Sequence, residues 1–149
     1  PAAIGEGITV ACANGNVSKP QKAQASLLLG AVGEVLWVEN EKLLNPVTAL
    51  SGSGPAYVFL LIEALAEAGK KIGLEAKMAE KLARQTVIGA AALAKDSANI
   101  SAAKLRENVT SPGGTTAAAL AVLMADDGLM PLLQRAVDAC AARSRELGG

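Results

Sequence analysis

Histidine is absent from this 149-residue chain, cysteine occurs twice, and Trp37, Tyr57 and Phe59 are its only aromatic residues. Each shortage removes a class of chemistry. Without histidine there is no usual general base for an activated serine, and Cys12 with Cys140 cannot build a four-ligand zinc site within one chain. No metal is expected. The two thiols lie far apart in no CxxC pair and read as ordinary semi-buried residues of a reducing compartment. Charge excess is missing too: fourteen basic residues balance fourteen acidic ones without a long basic run. That pattern gives no support to a nucleic-acid or anionic-membrane surface. The densest apolar stretch, Leu50 to Leu65, is broken by Gly52, Ser53, Gly54 and Glu63. Read this way, it is too short and too interrupted to span a bilayer. The amino terminus lacks a basic segment followed by an apolar one, so a cytoplasmic location is expected.

What is abundant is alanine, at 31 positions. This is a helical composition, in which interiors pack through close contacts of small side chains. Before residue 40 the pattern differs. "GITVACA" (7–13) and "EVLWVE" (34–39) suit strands, and Pro20 can open a helix between them with Ser18 or Lys19 just outside. Strand, helix, strand looks like the end of an α/β sheet whose other strands are expected upstream of Pro1. From Asn40 the signals are helical: a short segment interrupted near Pro46, a long helix from about Pro55 ending at Gly69 or Gly73, and a second from Glu75 to Lys95. Ser101 caps a short helix holding Leu105. Two more follow, from about Thr116 and from Leu129 to about Leu147. The division expected is 1–39 for the α/β end and 40–149 for an all-helical domain. Residues 56–66 are apolar around too wide an arc for one buried stripe, so this helix needs cover on more than one side.

Two helix starts share one grammar, "SGSGPAY" (51–57) and "TSPGGTTAA" (110–118). A helix amino terminus leaves N–H groups unpaired and carries partial positive charge, so it can hold a small anion without lysine or arginine. Glycines let the anion approach and hydroxyls add donors. The competing reading is a pair of ordinary caps, or for the first motif close packing of helices. Neither matches the GxGxxG dinucleotide fingerprint after a strand.

The strings "VTALSGSGPAYVFLLIEALAEAG" and "LRENVTSPGGTTAAALAVLMADDGL" closely resemble the carboxy-terminal half of the pyrroline-5-carboxylate reductase family, and "PAAIGEGITVACAN" is similar to the continuation of its dinucleotide-binding domain. The resemblance implies a mainly α chain: a helical dimerisation domain preceded by the last strand-helix-strand piece of a Rossmann-type domain lying mostly upstream. It implies hydride transfer from NADPH or NADH to the imine carbon of 1-pyrroline-5-carboxylate, giving L-proline, by an intertwined homodimer or a higher oligomer. The family holds the substrate carboxylate on the loop matching Ser111, Pro112, Gly113, Gly114, Thr115 and Thr116. Thr116 matches the threonine nearest the ring nitrogen and the nicotinamide carboxamide. It is therefore the expected catalytic contact and the one candidate cofactor contact here, other cofactor contacts lying mainly upstream. Some relatives have alanine at Thr115. Asn99 stands near where some members place a glutamate, so no carboxylate role is assigned, and Glu107 and Asp96 read as solvated helix-end residues.

A cyclic imine can arrive already protonated, which makes the lack of histidine tolerable: the protein chiefly orients two reactants. Two other classes stay open. A non-catalytic helical dimerisation module explains the alanine-rich packing but neither glycine-rich start. A related two-domain dehydrogenase acting on a hydroxy acid generally wants a lysine or histidine near the alcohol, and only proximity recommends Lys104.

Overall fold

A computed structural model of the chain describes residues 1–148. Two compact units emerge, one of residues 1–55 with the chain from Arg135 onward, the other Ala56–Gln134. The first opens on two parallel strands, β1 (Gly7–Cys12) and β2 (Gly33–Val38), paired from Gly7↔Gly33 to Cys12↔Val38. Parallel neighbours require a crossover, here α1 (Lys19–Gly30). Ser18 and Gln21 close a reciprocal capping box at its start, with Pro20 in the first turn. The indole N–H of Trp37 donates to Ser26 Oγ at 2.8 Å, and the Lys22 ammonium sits 4.6 Å from the centre of the Trp37 ring. These contacts fix α1 to β2.

The strand pair depends on glycine. Gly33 has φ +143°, and a Cβ there would lie 1.9 Å from the carbonyl oxygen of Gly7. No rotamer change relieves a clash between two backbones. Gly33→Ala is expected to cost on the order of 3 kcal/mol or more, the range of severe backbone and overpacking defects. Thermal unfolding of the variant checks this, and a midpoint unchanged from wild type refutes it.

Beyond β2 the structure departs from the expected interruption at Pro46. A 3₁₀ turn (Glu41–Leu43) passes directly into α2 (Leu44–Val47), a π-helical turn (Thr48–Gly52) and α3 (Gly54–Lys71). Pro46 falls in the first turn of α2, where a missing N–H costs nothing. The irregularity is the wide turn, with the Ser53 N–H reaching the Thr48 carbonyl at 2.9 Å. It directly precedes Pro55, which has no N–H to continue an α ladder. Within this unit Ser144 Oγ donates to Asn45 Oδ1 at 2.7 Å, and the Ser53 hydroxyl and Cys140 thiol are 3.2 Å apart. Ala49, between Asn45 and Ser53 at helical spacing, is fully buried. Cys12 and Cys140 are half-buried and form no disulfide with each other.

This continuity corrects the membrane argument: Glu41–Lys71 is a 31-residue helical run, long and apolar enough to cross a bilayer by length and composition. Its exposed apolar surface therefore has to be accounted for by something besides breaks in the helix.

In the second unit α3 ends in a Schellman motif, with Gly73 at φ +102° and the Leu74 and Gly73 amides on the Gly69 and Lys70 carbonyls. Lys70 pairs with Glu67 in that last turn, and this hydrogen bond raises the ammonium above the usual lysine value. Glu75 then caps α4 (Ala76–Asp96) through the Lys77 and Met78 amides. A Cβ on Gly69 would stand 3.2 Å from that of Ala79, so α3 and α4 approach closely across small residues. α5 (Ala102–Asn108), α6 (Thr115–Leu123) and α7 (Leu129–Leu147) complete the chain. Among the described residues the buried side chains are only Ala49, Ala66, Ala79 and Ala83. Met78, Leu82 and Ile88 of α4 are each about half exposed.

Candidate functional site

Three α-helix starts carry a side-chain cap. Ser18 serves α1, Glu75 serves α4, and Ser101 Oγ accepts from the Lys104 amide of α5 at 3.2 Å. α6 is different. Its N-cap is Gly114, and no side chain caps it, although Ser111, Thr115 and Thr116 all stand beside it. The ordinary-cap reading of "TSPGGTT" therefore does not describe the geometry.

The loop itself explains how the start is left open. Thr110 ends α5 with its N–H on the Glu107 carbonyl at 3.0 Å and its hydroxyl on the Arg106 carbonyl at 2.6 Å. Ser111 to Gly114 then form a tight turn, closed by the Gly114 N–H on the Ser111 carbonyl at 3.0 Å. Gly113 takes φ +70°, the left-handed region where a Cβ is penalised, and the space its Cβ would occupy is empty to 4 Å. Gly114 is constrained differently, since a Cβ there would press on the Ser111 carbonyl at 3.1 Å. The Ala118 N–H begins the helical ladder on the Gly114 carbonyl.

Three amides remain for which the helix has no acceptor, those of Thr115, Thr116 and Ala117. They converge where the α6 dipole is positive, beside exposed Ser111, Thr115 and Thr116. This arrangement can bind one carboxylate or similar anion by charge-dipole attraction and N–H donation. Of the expected residues, the turn brings Ser111, Gly113, Gly114, Thr115 and Thr116 together. Gly114 contributes bare backbone, its amide being committed to the turn. Ala117 was missed because an alanine side chain carries no chemical signal and only the helix boundary exposes its amide. The other glycine-rich motif is not an open start, because "SGSGP" lies within the continuous helical path into α3. Asp96, Glu107 and Lys104 gain no place in the turn, and Lys104 instead pairs with Glu107 at 3.2 Å along α5. Among the described residues no group of three or more His, Cys, Asp or Glu side chains could hold a metal ion.

A Rossmann-like βαβ segment followed by a mainly helical domain, with one uncapped glycine-rich helix start, defines the class of the chain. The family described as pyrroline-5-carboxylate reductase dimerisation matches residues 41–147, and the chain belongs to it. It is 46% identical over 147 residues to the pyrroline-5-carboxylate reductase of Pseudomonas aeruginosa, covering 99% of this chain and 53% of that protein. With the Haemophilus influenzae enzyme the identity is 44%, covering 99% and 54%. The chain thus spans about half the length of the curated relatives it matches. A pyrroline-5-carboxylate reductase structure from Coxiella burnetii superposes with a TM-score of 0.90 at 45% identity, over 97% of this chain and 53% of that one. The Plasmodium falciparum pyrroline carboxylate reductase, solved with NADP bound, gives 0.85 at 34% identity, over 100% and 59%.

Proposed function

We propose that the protein of which this chain forms part reduces 1-pyrroline-5-carboxylate to L-proline with NADPH or NADH, as a homodimer or higher oligomer in the cytoplasm. The observation that carries this reading is the uncapped start of α6, whose free amides suit the carboxylate of that substrate. The carboxylate rests on the amides of Thr115, Thr116 and Ala117, with the Ser111 and Thr115 hydroxyls at its edge. Gly113 and Gly114 keep side chains out of its approach. Thr116 directs its hydroxyl toward the ring nitrogen and the nicotinamide carboxamide.

A bound reduced nicotinamide supplies the hydride. The start of α1 offers little to the phosphates of the dinucleotide, since Pro20 has no N–H and the Gln21 amide is given to Ser18 Oγ in the capping box. Those contacts are expected from the part of the relatives' length that this chain does not span. A protonated imine that gains a hydride at carbon becomes the neutral secondary amine, so no proton need come from a protein acid during transfer. The work left to the chain is orientation, which carries a large share of rate enhancement in such reactions.

Assembly is supported by exposed area. On α3 Val58, Phe59, Leu60, Leu61 and Leu65 all stand exposed. Obligate homodimers cover apolar surface of this kind, and the family match supports a second copy over lipid.

The test is NADPH oxidation by the full-length protein with and without the imine. Thr116→Ala is expected to lower kcat/KM for the imine by about tenfold or more, roughly 1.4 kcal/mol of transition-state stabilisation, while thermal stability changes little. Activity held within about twofold would reduce Thr116 to a bystander.

A further inference from the structure

Arg106 lies one turn before the cradle, on α5, and is partly buried despite its charge. Its guanidinium Nη1 stands 2.9 Å from the sulfur of Met124, the residue that ends α6. The contact joins residues eighteen apart and closes a ring containing the whole cradle turn and all of α6. At 1.5 Å of rise per residue α6 is about 13 Å long, so the segment 109–114 must run back along it to begin the helix at the far end. Otherwise the near end of that segment is held by the Val109 and Thr110 N–H groups on the Glu107 carbonyl and by the Thr110 hydroxyl on the Arg106 carbonyl.

From this geometry we infer that Arg106 is a positioning residue for the anion cradle, bracing the end of α5 against the carboxyl end of α6. A thioether is a weak acceptor, so the sulfur is the smaller part of the brace. The larger part is the guanidinium at the negative end of the α6 dipole. The same helix thus attracts the substrate carboxylate at its start and holds Arg106 at its end. Loosening the brace lets the turn sample arrangements in which the three amides no longer converge. Substrate binding then weakens before the chemistry does, because the reacting groups themselves are untouched.

The inference rests on the reading of the cradle as a substrate carboxylate site. Its test uses the full-length protein, with steady-state kinetics and hydrogen exchange of the amides from 109 to 117. Arg106→Met keeps the stem and removes the charge. It is expected to raise KM for the imine about tenfold with kcat within about twofold, and to speed exchange across the turn. Arg106→Lys restores the charge without the planar fork and is expected at about a threefold rise, while Met124→Leu stays close to wild type. An unchanged KM in Arg106→Met, or a raised KM with unchanged exchange, overturns the brace. Should Arg106→Met not fold, Arg106→Lys decides by the same two readouts. A wild-type protein that reduces no imine defeats the cradle reading separately, and exchange alone then upholds or overturns the brace.

Discussion

Phe59→Glu is expected to turn the assembled protein into monomers and abolish imine reduction with them. In the isolated chain Phe59 is 65% exposed, and its neighbours Val58, Leu60, Leu61 and Leu65 are each more than 40% exposed. At 100° per residue these five point around most of the circumference of α3. A surface substitution on a lone chain costs within about 0.5 kcal/mol, so a monomer tolerates the glutamate. A dimer that covers this helix does not. Each copy then buries an unpaired carboxylate, at several kcal/mol per ion after relaxation. Light scattering on the full-length variant is the measurement. A variant that remains a dimer places the interface elsewhere, and Val58→Glu and Leu65→Glu then locate it around the helix.

That surface bears on how much of the fold can be read from residues alone. The βαβ piece was legible because local signals agreed: β-branched strands, and Pro20 in the first helical turn with Ser18 or Lys19 just outside it. The last helices were legible for similar reasons, with Ser101 as the cap of α5. Pro46 misled because the rule against helix before proline is a local preference. Asn45 stays helical with its side chain tied to Ser144, 99 positions away. The π-helical turn was equally hidden, since nothing in "TALSG" distinguishes five residues per hydrogen-bonded turn from four. The apolar arc of residues 56–66 correctly signalled a need for cover, but sequence periodicity says nothing about which chain provides it. At the cradle the residue types were legible and their division of labour was not. Serine and threonine beside a helix usually cap it, and only the observed boundary makes glycine the N-cap and frees three amides. The Arg106–Met124 contact, spanning a turn and a helix, leaves no periodic trace at all.

Gly113→Val is expected to remove measurable imine reduction while leaving the protein assembled. Two effects act together. At φ +70° a β-branched side chain is strongly disfavoured, so the turn either bears about 1–3 kcal/mol of strain or rearranges and carries Ser111 and Gly114 with it. If the turn holds, the isopropyl group fills the open space beside the α6 start, where a carboxylate must approach. Gly113→Ala separates the two effects, having much of the strain with less of the bulk. Its expected result is a fall of about tenfold in kcat/KM, carried mainly by KM. Thermal unfolding shows whether both variants keep the fold, and added proline, as product, should protect wild type against unfolding but not Gly113→Val. If Gly113→Val turned the imine over with an unchanged KM, the carboxylate would not lie at this helix start, and the open amides of α6 would need another ligand.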